Sequence, residues 1–513
     1  MSRPVIAVVL AAVALRAVLI AVGTPPTNSD EATMGLAAVH IGAGHDQPVW
    51  FYGQAYMGTL EAYLAAPFVA LFGPHTAVLR LPLLLLYAAF LLLMFRLTRA
   101  VFSAGLAWFT VGLLALGADR VVKNQLIAAG GYPEILPAAA LLLLLSWWLG
   151  RTRGEPGRWR IAGYAAWGLT AGLCLWVDWL VLPYVAAAGL LLVAGCGREL
   201  LGRAGLVLAG AAVLGAAPAL AYNLTAPAGQ DSFSVFAQLS SAGHAGLGSH
   251  LYGGVVLGIP FATGLCAPSH CAAPVLGWGV VYLVLLAVAA GMAVAGVRRS
   301  TGAARMADLT RLAMLGGGAL TILAYVRSGS SVQDPVESAR YLHCLLVSTP
   351  AVLWPVWRLA FVARRVRWVG AAVLAALLAG ALTATVALLA RVPAYERLAR
   401  DQGELTAALD RLGADRVYSD YWTCGRITFA TGERVACAVL ADDLRPGLNR
   451  YGAYERAVDA APHPAYALPS GSPLDRAFGA RLADRGITAS TVDAGGYRIY
   501  LPATRVPPPE RGR

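Results

Sequence analysis

Long apolar runs occupy most of the first 391 residues of this 513-residue chain, and they constrain its fold more than any other feature. Only 13% of the residues are charged, against about 25% in a typical soluble domain, which excludes an ordinary soluble enzyme. A helix needs about 20 apolar residues to cross a bilayer. We therefore predict an α-helical polytopic membrane protein with about eleven transmembrane helices, near 4–23, 76–97, 103–118, 132–150, 161–179, 180–197, 204–222, 275–297, 312–326, 341–360 and 368–391.

The chain divides into two regions of different composition. Residues 1–391 hold the apolar runs and a polar loop, 24–75, and are predicted to form one membrane unit. Residues 392–505 read as a soluble α/β domain. The Pro-rich residues 506–513 are predicted to be a disordered tail. Within the domain the pattern predicts helices at 394–412, 452–460 and 473–485, and strands at 416–419, 427–429, 434–440, 465–468, 487–491 and 497–501.

Arginine in the short loops predicts the orientation. Loops 151–160 and 298–311 carry four Arg each, whereas the segments predicted on the opposite side carry at most two basic residues. Cytoplasmic loops are enriched in Arg and Lys, so we place the N-terminus in the cytoplasm and the C-terminal domain outside it. Residues 1–23 lack a small-x-small cleavage site and are predicted to be a retained anchor. Topology and Arg-rich composition explain the net charge of +12, so we expect no nucleic-acid partner.

Four of the seven cysteines fall in segments predicted outside the cytoplasm. An even number of cysteines in an oxidising compartment suggests disulfides. We therefore predict the pairs Cys266–Cys271 and Cys424–Cys437. A zinc site built on Cys266, His270 and Cys271 is the alternative for the first pair, but it lacks a fourth ligand.

The loop 24–75 is the most distinctive polar segment. It contains one Trp, three Tyr and six Gly, its length exceeds that of an ordinary connector, and Asp30 and Glu31 lie near its start. Ser29-Asp30-Glu31 is also typical of a helix N-terminus, where Ser or Asp caps free amides and Glu favours the first turn. Asp30 is therefore either a cap or a catalytic acid.

The C-terminal domain carries one aromatic block, Tyr418-Ser419-Asp420-Tyr421-Trp422. Such a block is aromatic enough to stack on a sugar. Aromatic side chains are also readily buried in a core, and core packing is the preferred interpretation.

Several short motifs together resemble a family of membrane enzymes. Asp30-Glu31 directly follows the first apolar run, and further matches follow in order at Asp119-Arg120, Tyr132-Pro133-Glu134, Leu175-Trp176-Val177-Asp178 and Ser338-Ala339-Arg340-Tyr341-Leu342. Their order and topology over residues 1–390 resemble the GT-C superfamily of membrane glycosyltransferases. The pattern is similar to that of the family 39 protein O-mannosyltransferases and the bacterial aminoarabinose transferase.

The resemblance implies an inverting glycosyltransferase that moves a sugar from a polyprenyl-phosphate carrier to an acceptor on the outer face of the bacterial plasma membrane. Asp30 matches the loop acid that acts as base or orients the acceptor, and Glu31 follows it as in the mannosyltransferases. Some members bind a divalent metal through acids of the first two outer loops, but no Asp-x-Asp occurs here, and we expect no cofactor. A second tier of candidate acids comprises Asp119, Glu134, Asp178 and Glu61.

The leaving phosphate of such a donor requires a cation, since an Arg fork binds phosphate oxygens bidentately. Arg340 is the first candidate because it lies at the outer edge of a predicted helix, where an Arg that merely snorkels to the interface would also lie. Arg16 falls inside the first predicted helix, where a charge costs about 2.5–3.5 kcal/mol and is normally paired or functional. We therefore predict that Arg16 either pairs with an acid such as Asp178 or binds a lipid phosphate. Lys123 and Arg120 are further candidates.

Two other classes of function fit a polytopic chain. A transporter or flippase of a lipid-linked glycan typically shows related halves and broken helices, and the sequence indicates neither. A membrane scaffold that presents the C-terminal domain would leave the Asp30-Glu31 loop unexplained. The resemblance implies a polyprenyl-phosphate-linked sugar donor and membrane lipid as partners, but the sequence names neither the sugar nor the acceptor.

Overall fold

The computed structural model describes residues 3–155, 157–239, 245–266, 271–361 and 366–509. Most of this chain is helical. 3₁₀ helices cover Trp179–Val181 and Ser338–Leu342, and a π-helical turn covers Tyr252–Leu257. The helices up to the C-terminal domain are α1 (Arg3–Ala21), α2 (Ser29–Ala43), α3 (Leu60–Phe72), α4 (Thr76–Leu79), α5 (Leu81–Val101), α6 (Ala104–Ala115), α7 (Asp119–Leu126), α8 (Tyr132–Arg151), α9 (Arg158–Val177), α10 (Leu182–Leu200), α11 (Arg203–Thr225), α12 (Ser232–Leu239), α13 (Leu247–Leu251), α14 (Gly258–Ala262), α15 (Ala273–Leu276), α16 (Trp278–Arg299), α17 (Gly302–Arg327), α18 (Ser330–Gln333), α19 (Leu345–Phe361) and α20 (Arg367–Leu412).

A helix is present at every predicted transmembrane position. Within the described ranges, eight helices are long and apolar enough to cross a membrane, and the bent pair α6 and α7 would make a ninth. The two remaining predicted spans correspond to α9 and to α19, which has 17 residues. The chain is therefore a multi-pass membrane protein.

The predicted span 103–118 is broken. α6 ends at Ala115, and α7 leaves it at 88°. Arg16 stabilises the break, because its guanidinium donates to the carbonyl of Ala115 at 2.8 Å and to the side-chain oxygen of Gln125 at 3.2 Å. The last carbonyls of a helix lack partners in the helix itself, and the fully buried Arg16 supplies one. The prediction that Arg16 pairs with Asp178 is therefore wrong, and its complete burial does not support the predicted lipid-phosphate site.

Glycines set the position of α9, which ends beside Asp178. Gly168 of α9 faces α11 so closely that a Cβ on it would lie 2.1 Å from the carbonyl oxygen of Leu208. Small residues let helices approach in a membrane, where no hydrophobic effect drives them together. This contact therefore fixes the end of α9 relative to the rest of the bundle.

The loop 24–75 folds into α2 and α3. Asn28 caps α2, because its side-chain oxygen accepts a hydrogen bond from the amide of Glu31 at 2.9 Å. The interpretation of Asp30 as the cap is therefore wrong. Asp30 lies in the first turn, where the partial positive charge of a helix N-terminus favours a carboxylate, and its side chain is available for other contacts.

The C-terminal domain is built on five strands: β1 (Arg416–Ser419), β2 (Ala436–Val439), β3 (Ala465–Pro469), β4 (Ala489–Ala494) and β5 (Tyr497–Pro502). They form one sheet with the order β2-β1-β3-β5-β4. β1 is parallel to β2 and β3, whereas β5 is antiparallel to β3 and β4. α20 runs without interruption across the predicted domain boundary at residue 391 and leads into the sheet. The helices of the domain are α21 (Tyr421–Ala430) between β1 and β2, α22 (Gly452–Asp459) between β2 and β3, and α23 (Pro473–Asp484) between β3 and β4.

Two predictions for this domain are wrong. The predicted strand 427–429 belongs to α21, because the side chain of Asp420 accepts from the amide of Trp422 at 2.7 Å and so starts a helix. The predicted disordered tail begins too early, since Val506 is 1% exposed and belongs to the domain core. Residues 510–513 lie outside the described residues.

Both predicted cysteine pairs, Cys266–Cys271 and Cys424–Cys437, are bonded. The second bond links α21 to β2. His270, which the zinc alternative would require, lies outside the described residues. The remaining cysteines, Cys174, Cys196 and Cys344, are free and buried.

Candidate active site

A cavity of about 460 Å³ lies where α2, α7, α17 and the C-terminal domain meet. This volume is typical of a small-molecule site, since such pockets enclose about 300–1,000 Å³. The predicted site residues that line it are Asp30, Arg120, Lys123, Asp178 and Arg340. Those that do not are Glu31, Arg16, Asp119, Glu134 and Glu61.

Asp30 lines this cavity, and only one of its two carboxylate oxygens accepts hydrogen bonds from the described residues. Its Oδ1 accepts hydrogen bonds from the hydroxyl of Tyr421 at 2.5 Å and from Nη2 of Arg450 at 3.0 Å. Its Oδ2 accepts none from the described residues, and the side chain is 30% exposed. An ionised carboxylate can accept several bonds, so Oδ2 is available to a ligand.

Tyr421 and Arg450 are the site residues that sequence reasoning missed. They lie 391 and 420 positions from Asp30 in the chain, and they belong to the C-terminal domain. Tyr421 falls in the aromatic block for which core packing was the preferred interpretation. That interpretation holds for Tyr418, which is buried, but Trp422 is 58% exposed. No local pattern marks Arg450.

The protonation of Tyr421 follows from its surroundings. Burial and the adjacent carboxylate of Asp30 raise the pKa of Tyr421. The hydroxyl of Tyr421 is therefore protonated at neutral pH and donates a hydrogen bond to Asp30. A buried hydrogen bond to a charged group is stronger than one between neutral groups.

Glu31 forms a buried ion pair and does not line the cavity, so its position does not support the predicted catalytic role. Its two oxygens accept from Nε and Nη2 of Arg80 at 2.7 and 2.6 Å. Both side chains are almost completely buried, with 0% and 1% exposed. Arg80 also donates to the carbonyl of Pro25 at 2.9 Å. The pair ties the start of α2 to the beginning of α5, out of reach of the cavity.

The cavity contains two cations that have no carboxylate partner. Neither Arg340 nor Lys123 forms an ion pair with the residues that the structure describes. The Arg340 guanidinium lies 5.3 Å from the ring centre of Tyr341, and its Nε is buried without a hydrogen-bond partner. Arg120 differs, because it is bound bidentately by Glu337 at 2.6 and 2.7 Å. Arg340 and Lys123 are therefore the cations available to an anionic ligand.

Glu61 and Glu134 are buried away from the cavity. Glu61 accepts hydrogen bonds from the amides of Gly130 and Gly131, each at 3.0 Å. It therefore holds the turn that precedes α8. The position of these two acids does not support their candidate role in the reaction, because neither lines the cavity.

Of the two remaining candidate acids, Asp178 lines the cavity and Asp119 does not. Asp178 lines the cavity and also accepts from the amide of Leu180 at 2.8 Å, which caps the following 3₁₀ turn. Asp119 accepts from the hydroxyl of Tyr395 at 3.0 Å and does not line the cavity. Over the described ranges, no three His, Cys, Asp or Glu side chains lie together as a possible metal site.

No family model matches the sequence, and no curated protein matches it either. The structure is nevertheless similar to solved membrane proteins. ArnT from Cupriavidus metallidurans bound to undecaprenyl phosphate superposes with a TM-score of 0.60 at 12% identity over 98% of each chain. ArnT from the same organism in the apo state gives 0.55 at 12% identity over 92% of each chain. The chain therefore has the fold of these ArnT structures, in line with the predicted α-helical membrane unit and C-terminal α/β domain.

Proposed function

We propose that this protein is an inverting glycosyltransferase that moves a sugar from a polyprenyl-phosphate carrier to an acceptor on the outer face of the bacterial plasma membrane. The observation that carries the proposal is the cavity of about 460 Å³. It is lined by Asp30, whose Oδ2 accepts no hydrogen bond from the described residues, and by Arg340 and Lys123, which form no ion pair with them. The fold supports it, because ArnT, a protein of the same fold, binds undecaprenyl phosphate.

The cations suit the leaving group. When the bond between the anomeric carbon and the phosphate oxygen breaks, its electron pair leaves with the phosphate. Arg340 can bind two phosphate oxygens through its planar fork, and Lys123 acts as a point charge. Because both are placed before the reaction, they stabilise the developing charge without reorganisation. Arg120 is less suited to this role, since Glu337 already neutralises it.

Asp30 suits the acceptor. The acceptor oxygen attacks the anomeric carbon on the face opposite to the phosphate, and its proton passes to Oδ2 of Asp30. One displacement of this kind inverts the anomeric configuration. A positioned carboxylate of this type typically contributes a factor of about 10²–10⁴ to the rate.

Aromatic side chains offer a surface for the sugar between these two ends. Tyr56 and Trp179 line the cavity, and both pack against Phe236, with ring centres 5.8 and 5.1 Å apart. Such rings combine a large apolar face with a polar edge. They are suited to the apolar face of a pyranose or furanose.

The test is sugar transfer in membranes that contain the full chain. The probes are a panel of radiolabelled hexosyl and pentosyl undecaprenyl phosphates, and the readout is the release of free undecaprenyl phosphate. We expect Asp30→Asn to lower the initial rate with the active donor by about 10²–10⁴-fold. Asp442→Asn is the matched control, because Asp442 is exposed in the C-terminal domain.

Two results would contradict the proposal. Release at the wild-type rate by Asp30→Asn would remove Asp30 from the reaction. Movement of intact labelled donor across the membrane without release would instead indicate a transporter or flippase.

A further inference from the structure

The C-terminal domain contacts the candidate active site at Asp30, the proposed base. Both hydrogen bonds on Asp30 come from this domain, one from Tyr421 and one from Arg450. Both end on the same oxygen, Oδ1. A carboxylate held in this way cannot rotate freely, and its second oxygen points in one direction.

Arg450 is held on several sides. Its Nε donates to the hydroxyl of Tyr421 at 2.6 Å, and its Nη1 donates to the carbonyl of Tyr52 at 3.3 Å. Its guanidinium lies 4.5 Å from the ring centre of Phe51, and its side chain is 9% exposed. A nearly buried Arg with this many fixed contacts has one defined position, unlike a surface Arg that samples many.

The position of the domain depends on close packing against α2. A Cβ on Gly35 would lie 2.6 Å from the ring of Phe429, and a Cβ on Gly425 would lie 2.7 Å from the hydroxyl of Ser29. Each contact leaves no room for a larger side chain. These contacts fix the position of α21 on α2, the helix that carries Asp30.

Polar contacts also hold the C-terminal domain against the other end of α2. The Nε2 of His40 bonds to the carboxylate of Glu433 at 2.9 Å, and the hydroxyl of Tyr454 donates to that carboxylate at 2.7 Å. The Cys424–Cys437 bond joins α21 to β2 within the domain. The relation of Tyr421 and Arg450 to Asp30 is therefore fixed by contacts beyond the site itself.

We propose that the C-terminal domain completes the active site, with Tyr421 and Arg450 as positioning residues that hold Oδ1 of Asp30 and direct Oδ2 at the acceptor. This inference rests on the proposed function. It assigns the domain a direct part in the reaction. Both donors bind Oδ1, so neither occupies Oδ2, the oxygen that takes the acceptor proton.

The experiment compares variants of the full chain in membranes, with the labelled undecaprenyl-phosphate sugar that the wild type cleaves. Initial rates against donor concentration give kcat and KM, and a separate assay measures the Kd for undecaprenyl phosphate. The variants are Tyr421→Phe, Arg450→Ala and Arg450→Lys. Arg445→Ala is the control, because Arg445 lies in the same domain with its side chain 61% exposed.

We expect Tyr421→Phe and Arg450→Ala each to lower kcat by about 10-fold to 100-fold, which is the loss of a hydrogen bond to a charged group. KM for the donor and Kd for undecaprenyl phosphate stay within about twofold of the wild type, because the phosphate contacts lie elsewhere in the cavity. Arg450→Lys recovers part of the loss, since one ammonium donor can replace part of the fork. Arg445→Ala behaves as the wild type.

Unchanged kcat in Tyr421→Phe and Arg450→Ala would overturn the inference while leaving the proposed function intact. A parallel loss of kcat and of undecaprenyl-phosphate binding would also overturn it, because the residues would then act through folding or donor binding. If the wild type cleaves no donor in the panel, the proposed function fails first, and that result is distinct from either of these.

Discussion

Replacement of Glu31 by Gln tests how the loop 24–75 is held. The side chain is fully buried and accepts two charged hydrogen bonds from Arg80, at 2.7 and 2.6 Å. An amide of the same size removes the negative charge and turns one acceptor into a donor. Arg80 would then keep its charge at 1% exposure, and its acceptors among the described residues would be two neutral oxygens, the amide oxygen at position 31 and the carbonyl of Pro25.

The expected cost follows from this burial. Removal of one partner of a buried ion pair costs about 3–5 kcal/mol, which changes the ratio of folded to unfolded protein by about two to four orders of magnitude at 1.4 kcal/mol per factor of ten. The midpoint of thermal unfolding, followed by tryptophan fluorescence in detergent, should therefore fall clearly. Asp30→Asn is the comparison, and we expect its midpoint to stay close to that of the wild type because Asp30 is partly exposed.

A double variant separates the lost charge from lost volume. Glu31→Met combined with Arg80→Met removes both charges and keeps the site filled, and such replacements are often neutral or stabilising. We expect the double variant to unfold at a higher temperature than Glu31→Gln. An unfolding midpoint for Glu31→Gln equal to that of the wild type, together with a selective loss of sugar transfer, would refute this reasoning and return Glu31 to the active site.

Two further predictions concern the cations. Arg340→Ala should weaken undecaprenyl-phosphate binding by about 10-fold to 100-fold, which is the value of a charge-assisted hydrogen bond. Arg327→Ala changes an exposed Arg at the end of α17 and should leave this binding unchanged. Equal affinities of Arg340→Ala and the wild type, measured by titration, would exclude Arg340 as a phosphate ligand. The hydrogen bonds from Arg120 lower the pKa of Glu337 from its usual 4.5 to about 2. This carboxylate therefore stabilises the folded state above pH 4.5, and the contribution is lost as the pH falls towards 2. The unfolding midpoint of the wild type should drop more between pH 5 and pH 3 than that of Glu337→Gln, and identical drops would show that the pair contributes nothing.

The helices and their order were predictable because they follow from physics that acts locally. A run of about 20 apolar residues has few alternatives to a spanning helix. The predicted span 103–118 shows the limit of this reasoning, since its sequence does not reveal that α6 stops at Ala115. The role of Arg16 could not be predicted for the same reason, because the carbonyls it caps exist only where the helix breaks.

The candidate site was predictable only in part. Asp30 and Glu31 are chemically alike and adjacent, but neighbouring side chains on a helix point about 100° apart. One therefore faces the cavity and the other faces the core, and only the packing of α2 decides which. Arg450 is 420 residues from Asp30, and no spacing rule reaches that far. The fold of the C-terminal domain and its seat on α2 had to be known before Arg450 could be placed.

The most direct measurement is an experimental structure of Asp30→Asn with an undecaprenyl-phosphate sugar, since loss of the base should trap the donor uncleaved. We expect the phosphate to contact Arg340 and Lys123 inside the cavity of about 460 Å³ and the anomeric carbon to face the side chain at position 30. A donor phosphate bound outside this cavity, or a sugar turned away from position 30, would contradict this expectation.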